Sequence, residues 1–288
     1  MVNEDLRIAL VFECQSPPQP FPEQTVPTIE QNLSEWNASS RWREQGDEWS
    51  VTWGGVEPQW YGALYPRIRG FLPAPVILEI APGFGRWTQF LKGYCDKLIL
   101  VDLAENCIET CKKRFASSSH ILYYTNDGKS LAMIEDRSLD FVFSFDSLVH
   151  AEAEVMKAYI DELSRKLTVN GVGFMHHSNV GEYRRPFSLI KKLPDRVRAS
   201  LNLLSLDHWR AYSMTAPLFE QYCRNAGMQC ISQEMVNWGS PFLIDCFSVF
   251  TPTSSRWART NRVSRNYHFM KEANFIRELA TLYSLRDH

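Results

Sequence analysis

The sequence predicts an α/β protein: a mostly parallel sheet finished by a C-terminal antiparallel hairpin strand, with a tryptophan-rich helical cap in front of it. Three observations carry this. From residue 75, short apolar runs alternate with helical stretches. Beyond Gly227, two strand-like runs follow each other with no helix between them. Five of the nine tryptophans crowd into one short segment, at Trp36, Trp42, Trp49, Trp53 and Trp60. Strands alternating with helices pair in parallel through right-handed crossovers, and ligands then sit at the strand C-termini.

Taken in order, residues 1–28 read as a loose leader, with five prolines between 13 and 28. Residues 29–74 form the cap, whose aromatics either bury against the main domain or act as a lid over a ligand. The main domain runs over 75–252. VILEI is its first strand, because a run apolar on both faces suits a parallel sheet buried on both sides. RWTQFLKGY follows as a helix. LILVDL, ILYYT, LDFVFSF and GVGFMHH are the next strands, with helices in ENCIETCKKRFA and AEVMKAYIDELSRKL. An insertion at about 181–212 carries basic residues and no strand signal. PLFEQYCRNAGMQC is a helix that Thr215 or Ser213 can cap and Gly227 ends. CISQEMVNW and FLIDCFSVFT form the hairpin. Residues 253–288 read as a basic helical extension, with Arg256, Arg259, Arg262 and Arg265 three apart. That stripe is a solvated helix face or a clamp for an anionic acceptor.

Composition is that of an ordinary globular chain, 44% hydrophobic and 22% charged. A net charge of −2 points neither to nucleic acid nor to an anionic membrane. Seven cysteines with no CxxC pair suit reduced thiols. No apolar run is long enough to span a bilayer, and the first residues place acids where a signal peptide needs bases. The expected location is cytoplasmic, with no nucleic-acid or membrane partner, and the oligomeric state is left open between monomer and homodimer.

The stretch 79-EIAPGFGRWT-88 places Gly83 and Gly85 between a strand and a helix. Such a turn lets a ligand approach the backbone and meet helix N–H groups. The third glycine of a dinucleotide turn is replaced by Thr88, which disfavours a tightly packed pyrophosphate. Glu79 beside the turn suits a cationic ligand. Asp102, 19 residues after Gly83, ends the next strand where an acid binds ribose hydroxyls. Adenine, ribose, a sulfonium and an amino-acid end together describe S-adenosyl-L-methionine.

These residues, with VDLAENCIETCKKRF, YYTNDGKSL and LDFVFSFDSLVHAE, resemble the Rossmann-like (class I) S-adenosylmethionine-dependent methyltransferase family over about 76–180. The flanking WGG…PQWYGALYPRIRGFLP and HHSN resemble members associated with polysaccharide and natural-product biosynthesis. The resemblance implies S-adenosyl-L-methionine as cofactor. Glu79, Ala81, Gly83 and Gly85 would hold its methionine end and Arg86 its carboxylate. Asp102 would take the ribose, Leu103 the adenine face, and Asn126, Asp127 and Gly128 the adenine amino group; Asp127 also reads as a plain N-D-G turn.

Methyl transfer from a sulfonium needs no nucleophilic side chain, only alignment and, for an alcohol acceptor, a base. Strand ends offer His150, His177, His176 and Asp146. The two adjacent histidines point to opposite faces of a strand, so only one can reach the site. Trp60, Asp207, His208 and Arg210 are candidates for the acceptor pocket. His150 and Glu154 share a helix face, but no metal site is expected. The expected activity is O-methyl transfer to a small-molecule or glycan acceptor. N-methylation of an amine, nicotinamide-dependent oxidoreduction and a non-catalytic binding module are the alternatives.

Overall fold

A computed structural model describes residues 27–38, 42–201, 203, 206 and 208–284. Most of the leader therefore lies outside the described residues. Eight strands form one sheet in the order β3-β2-β1-β4-β5-β7-β6-β8. They are β1 (Val76–Ile80), β2 (Lys97–Asp102), β3 (Ile121–Thr125), β4 (Leu139–Ser144), β5 (Leu167–Ser178), β6 (Met228–Val236), β7 (Asp245–Pro252) and β8 (Arg262–Asn266). The first five run parallel, as the alternation predicts, and β7 inserts antiparallel between β5 and β6. The chain order reverses between β1 and β4, which opens the crevice where such sheets bind ligands.

The helices are α1 (Ile29–Trp36), α2 (Val56–Gln59), α3 (Tyr65–Ile68), α4 (Thr88–Leu91), α5 (Glu105–Arg114), α6 (Ala153–Lys166), α7 (Arg184–Ile190), α8 (Asp195–Ser200), α9 (Ala216–Asn225) and α10 (Phe269–Leu282). Thr28 and Gln31 close a reciprocal capping box at the start of α1. Thr215 caps α9 by accepting from the Leu218 N–H at 3.1 Å. Two apolar layers sandwich the sheet. One holds Trp53, Trp60, Phe143 and Phe174, and the other Leu78, Val142, Ile160 and Phe219.

The tail departs from the helical reading. Residues 262–266 add β8 parallel to β6, and only Phe269–Leu282 is helical. The reason is the open edge of β6, whose backbone groups need partners. Asn261 and Asn266 reinforce the pairing by donating to Gln233 and Glu234 at 2.9 and 2.8 Å. The arginines of the tail thus sit on an edge strand and its approach, not on a helix face.

The cap is built from short 3-10, α and π turns between Asp47 and Phe71. Helix α10 lies across it closely enough that a Cβ on Gly62 would meet Ile276 at 3.0 Å. Arg67 ties the pieces together, reaching Glu234 of β6 and Glu272 of α10, each at 2.8 Å.

Candidate active site

A pocket of about 1110 Å³, counting the solvent at its mouth, opens at the C-terminal ends of β1, β2 and β4. Its floor is the turn after β1. Ala81 and Gly83 both have φ near +57°, a conformation that a residue without a Cβ tolerates best. A Cβ on Gly83 would stand 2.4 Å from the Trp42 ring, so the turn and the cap meet there. Gly85 is different: its missing Cβ makes room for Phe115 at 2.5 Å, so it serves packing behind the pocket.

Asp102 is buried at the pocket wall and accepts the Gly83 and Ala104 N–H groups at 3.1 and 2.8 Å. Burial raises its pKa to about 6, against those hydrogen bonds. Glu79 lies beneath the floor and does not line the pocket. Burial, reinforced by the charge of Asp102, pushes its pKa to about 8, despite the Thr88 hydroxyl donating to it at 2.6 Å. Burial thus favours the protonated form of Glu79, whose hydrogen-bond partner is Thr88.

Arg86 and Asp146 both line the pocket and pair at 2.9 Å. The second terminal nitrogen of Arg86, Nη1, is buried with no hydrogen-bond partner among the described residues. An unpaired guanidinium nitrogen beside a glycine turn suits a ligand carboxylate. Leu103 and Gly128 lie side by side in the lining. Asn126 supports them from behind, donating to Ser130 O and Tyr159 OH at 2.9 and 3.0 Å. Asp127 is not in the lining, and one oxygen of its carboxylate, Oδ1, accepts the Lys129 and Ser130 N–H groups.

His150 lies in the wall, buried. Its Nδ1 is 2.9 Å from the Trp209 carbonyl oxygen. A carbonyl only accepts, so Nδ1 carries the proton, and in neutral His150 the lone pair is on Nε2. Burial, then the charge of Arg210, lowers its pKa to about 4. The His150 ring sits 5.5 Å from Trp36 and 4.9 Å from Trp209. Trp36 also meets Trp42 and Trp49, so the cap supplies one aromatic wall. Cap and site are joined again where Asn32 donates to the His150 carbonyl at 3.0 Å.

The adjacent histidines diverge. His177 stacks on Phe219 at 4.3 Å and contacts Ser248 at 2.8 Å, on the far face of the sheet. His176 faces the pocket side but stands behind it, accepting the Asp146 N–H at 3.1 Å. Its Nε2 lies 3.3 Å from Asp245, which Arg210 grips with two bonds of 3.0 and 2.8 Å. Burial alone would raise the Asp245 pKa, but Arg210 and His176 outweigh it and hold the carboxyl well below its usual range. Arg210 is thus a buried partner of Asp245, and His208 lends it a carbonyl at 3.0 Å. Trp60 is fully buried against Phe90, Trp87 and Phe143, a core residue outside the lining. Asp207 lies outside the described residues.

Sequence reasoning passed over Asp245, whose one signal is an acid inside the apolar run FLIDCFSVF. Glu152, which sequence reasoning weighed only as a metal ligand beside His150 and set aside, lines the pocket with one carboxylate oxygen, Oε1, buried and unpartnered, while Ser213 donates to the other. Among the described residues no cluster of three His, Cys, Asp or Glu is placed to hold a metal, and no helix is long and apolar enough to cross a membrane.

A family profile described as a methyltransferase domain matches residues 77–171. No curated protein matches the chain in sequence. Among solved structures, the SAH (S-adenosylhomocysteine) complex of DhpI is 17% identical, with a TM-score of 0.52, over 80% of this chain and 98% of that one. A Listeria monocytogenes protein assigned to the S-adenosylmethionine-dependent methyltransferases is 16% identical, with a TM-score of 0.51, over 68% and 98%. A Leishmania major SAM-dependent methyltransferase is 10% identical, with a TM-score of 0.50, over 77% and 82%. With the glycine turn, the acid at the end of β2 and the sheet order already in view, residues 77–171 match a methyltransferase-domain family, and the chain shares the Rossmann-like fold of these structures.

Proposed function

We propose that the chain transfers the methyl group of S-adenosylmethionine to a hydroxyl of a small polar acceptor, a sugar, glycan or natural product, with His150 as the base. The observation that carries this is the position of His150, buried in the pocket wall with its ring held by the Trp209 carbonyl at Nδ1. The residues fit the cofactor. Arg86 Nη1 is an orphaned donor for its carboxylate, Asp102 would accept from the ribose hydroxyls, and Leu103 and Gly128 would flank the adenine. Bound S-adenosylmethionine supplies a methyl group on a cationic sulfur, with a neutral thioether as the leaving group.

The protein's own work is then alignment, exclusion of water and removal of one proton. Trp36, Trp42 and Trp49 cover the pocket and lend aromatic faces toward a cation, an effect of about 0.5–2 kcal/mol. His150 takes the acceptor proton at Nε2 while Trp209 holds the ring. Positioned bases of this kind contribute about 10²–10⁴-fold. Asp146 is kept on Arg86, and its backbone is fixed by His176, so it acts by positioning.

A second reading, N-methylation of an amine, is favoured by three acids in the lining, Asp102, Asp146 and Glu152, against the single cation Arg86. Methyl-labelled S-adenosylmethionine incubated with paired hydroxyl and amine acceptors separates the two. Label on oxygen, lost in His150→Ala, supports the first. Label on nitrogen alone, with His150→Ala unaffected, replaces it with the second.

A further inference from the structure

The insertion after β5 has an outer surface that the methyl-transfer site does not use. Helix α7 packs inward through Phe187 and Ile190, which join Val180, Leu203, Leu206 and Ile244 in a small satellite core, while α8 buries none of its residues. Their outward side should then be polar. Instead Leu189 on α7, Leu193 in the turn after it, Val197 on α8 and Leu201 just past α8 are 64%, 40%, 41% and 56% exposed. None of the four lines the pocket.

The charges around this row are one-sided. Arg184, Arg185, Lys191, Lys192, Arg196 and Arg198 lie within 184–201, and the one acid there, Asp195, is already paired with Arg198. The whole chain carries a net −2, so this segment, like the basic tail with Arg256, Arg259, Arg262 and Arg265, is a local concentration of cations in a chain that is anionic elsewhere. An exposed apolar row flanked by cations has the composition of a surface that lies in a bilayer interface, with leucines among acyl chains and arginines and lysines at phosphates. A soluble protein partner would instead need an acidic surface whose apolar centre matches these residues in shape.

We propose that the α7–α8 surface docks the protein on an anionic lipid bilayer, the apolar row inserting and the basic residues pairing with lipid phosphates. The insertion follows the C-terminal end of β5, the same end of the sheet as the pocket, so docking would hold that end toward the membrane. This departs from the expectation drawn from net charge, because a local island is diluted in a global total.

The test is co-sedimentation of the full chain with phosphatidylcholine vesicles, with and without one-third phosphatidylglycerol, at low and high salt. Two double variants accompany it, Leu189→Ser/Leu201→Ser and Arg185→Gln/Lys192→Gln, each checked for an unchanged melting temperature. Binding to the anionic vesicles alone is expected, weakened at least about tenfold by either pair. Three results would overturn the proposal. The first is no binding even at low salt, and the second is equal binding to neutral vesicles. The third is binding untouched by the leucine pair, which would leave only diffuse charge attraction. Self-association abolished by the leucine pair, without vesicle binding, would assign the row to a second copy of the chain instead.

Discussion

At the scale of single residues, the site is governed by what burial does to acids. Glu79 has a folded-state pKa of about 8 against an ordinary 4.5, so the folded chain holds its proton more tightly than the unfolded chain. Its contribution to stability is full below pH 4.5 and is lost as pH rises through about 8. Glu79→Gln keeps an acceptor for Thr88 and cannot ionise. The melting temperature of this variant should therefore gain on that of the parent between about pH 5 and pH 8; parallel curves would show that Glu79 stays charged. His150→Ala is expected to lower turnover by about 10²–10⁴-fold while the cofactor-induced rise in melting temperature persists, and a change under threefold would remove His150 from the chemistry. Gly83 and Asp102 were legible in the sequence because local spacing sets them. Arg210 and Asp245 were not legible as a pair. They are 35 residues apart, and the pairing of β5 with β7 is what sets Asp245 beside His176. Asp127 marks another limit: an N-D-G turn and a ligand contact look alike in sequence, and here the carboxylate closes the turn.

Elements follow a similar division. The parallel strands could be read directly, since apolar runs bounded by helices admit few other arrangements. The tail could not. Arginines three apart mimic a helix face, yet the unpaired edge of β6 recruits Arg262–Asn266 as a strand. What locks that edge to the rest is Arg67, whose guanidinium is gripped by Glu234 and Glu272 at once and lies over the Phe269 ring at 5.3 Å. Removing it leaves two partly buried carboxylates facing each other. Breaking fully buried pairs costs about 3–5 kcal/mol, and exposures of 24% and 31% at the two acids reduce this, so Arg67→Ala should cost about 2–3 kcal/mol in urea unfolding. Arg69→Ala, at an exposed position two residues on, is the control and should stay within about 0.5 kcal/mol. Equal effects from the two would show that Arg67 is no clasp.

For the whole molecule, the question is why the two ends of the described chain meet at all. No residue of α10 lines the pocket, and Trp36, Trp42 and Trp49 of the N-terminal segment do. Helix α10 nonetheless holds that segment in place. Phe269 packs on Trp53, Ile276 fills the space over Gly62, and Ala280 closes on Gly54. The crowding of tryptophans showed that a cap exists, but the composition could not separate those that face the ligand from Trp53 and Trp60, which are core. If the cap is competent only when α10 is seated, apparent cofactor affinity falls with the seated fraction. Ile276→Ala removes side-chain volume at this seam, far from any ligand contact. It should weaken S-adenosylmethionine binding roughly three- to tenfold in calorimetric titration. Proteolytic cleavage between Asn37 and Trp60 should speed up in parallel, and added cofactor should slow it again. Faster cleavage with unchanged affinity would mean that the tryptophan wall is dispensable for the cofactor and serves the acceptor alone. Unchanged cleavage would mean that α10 does not hold the cap.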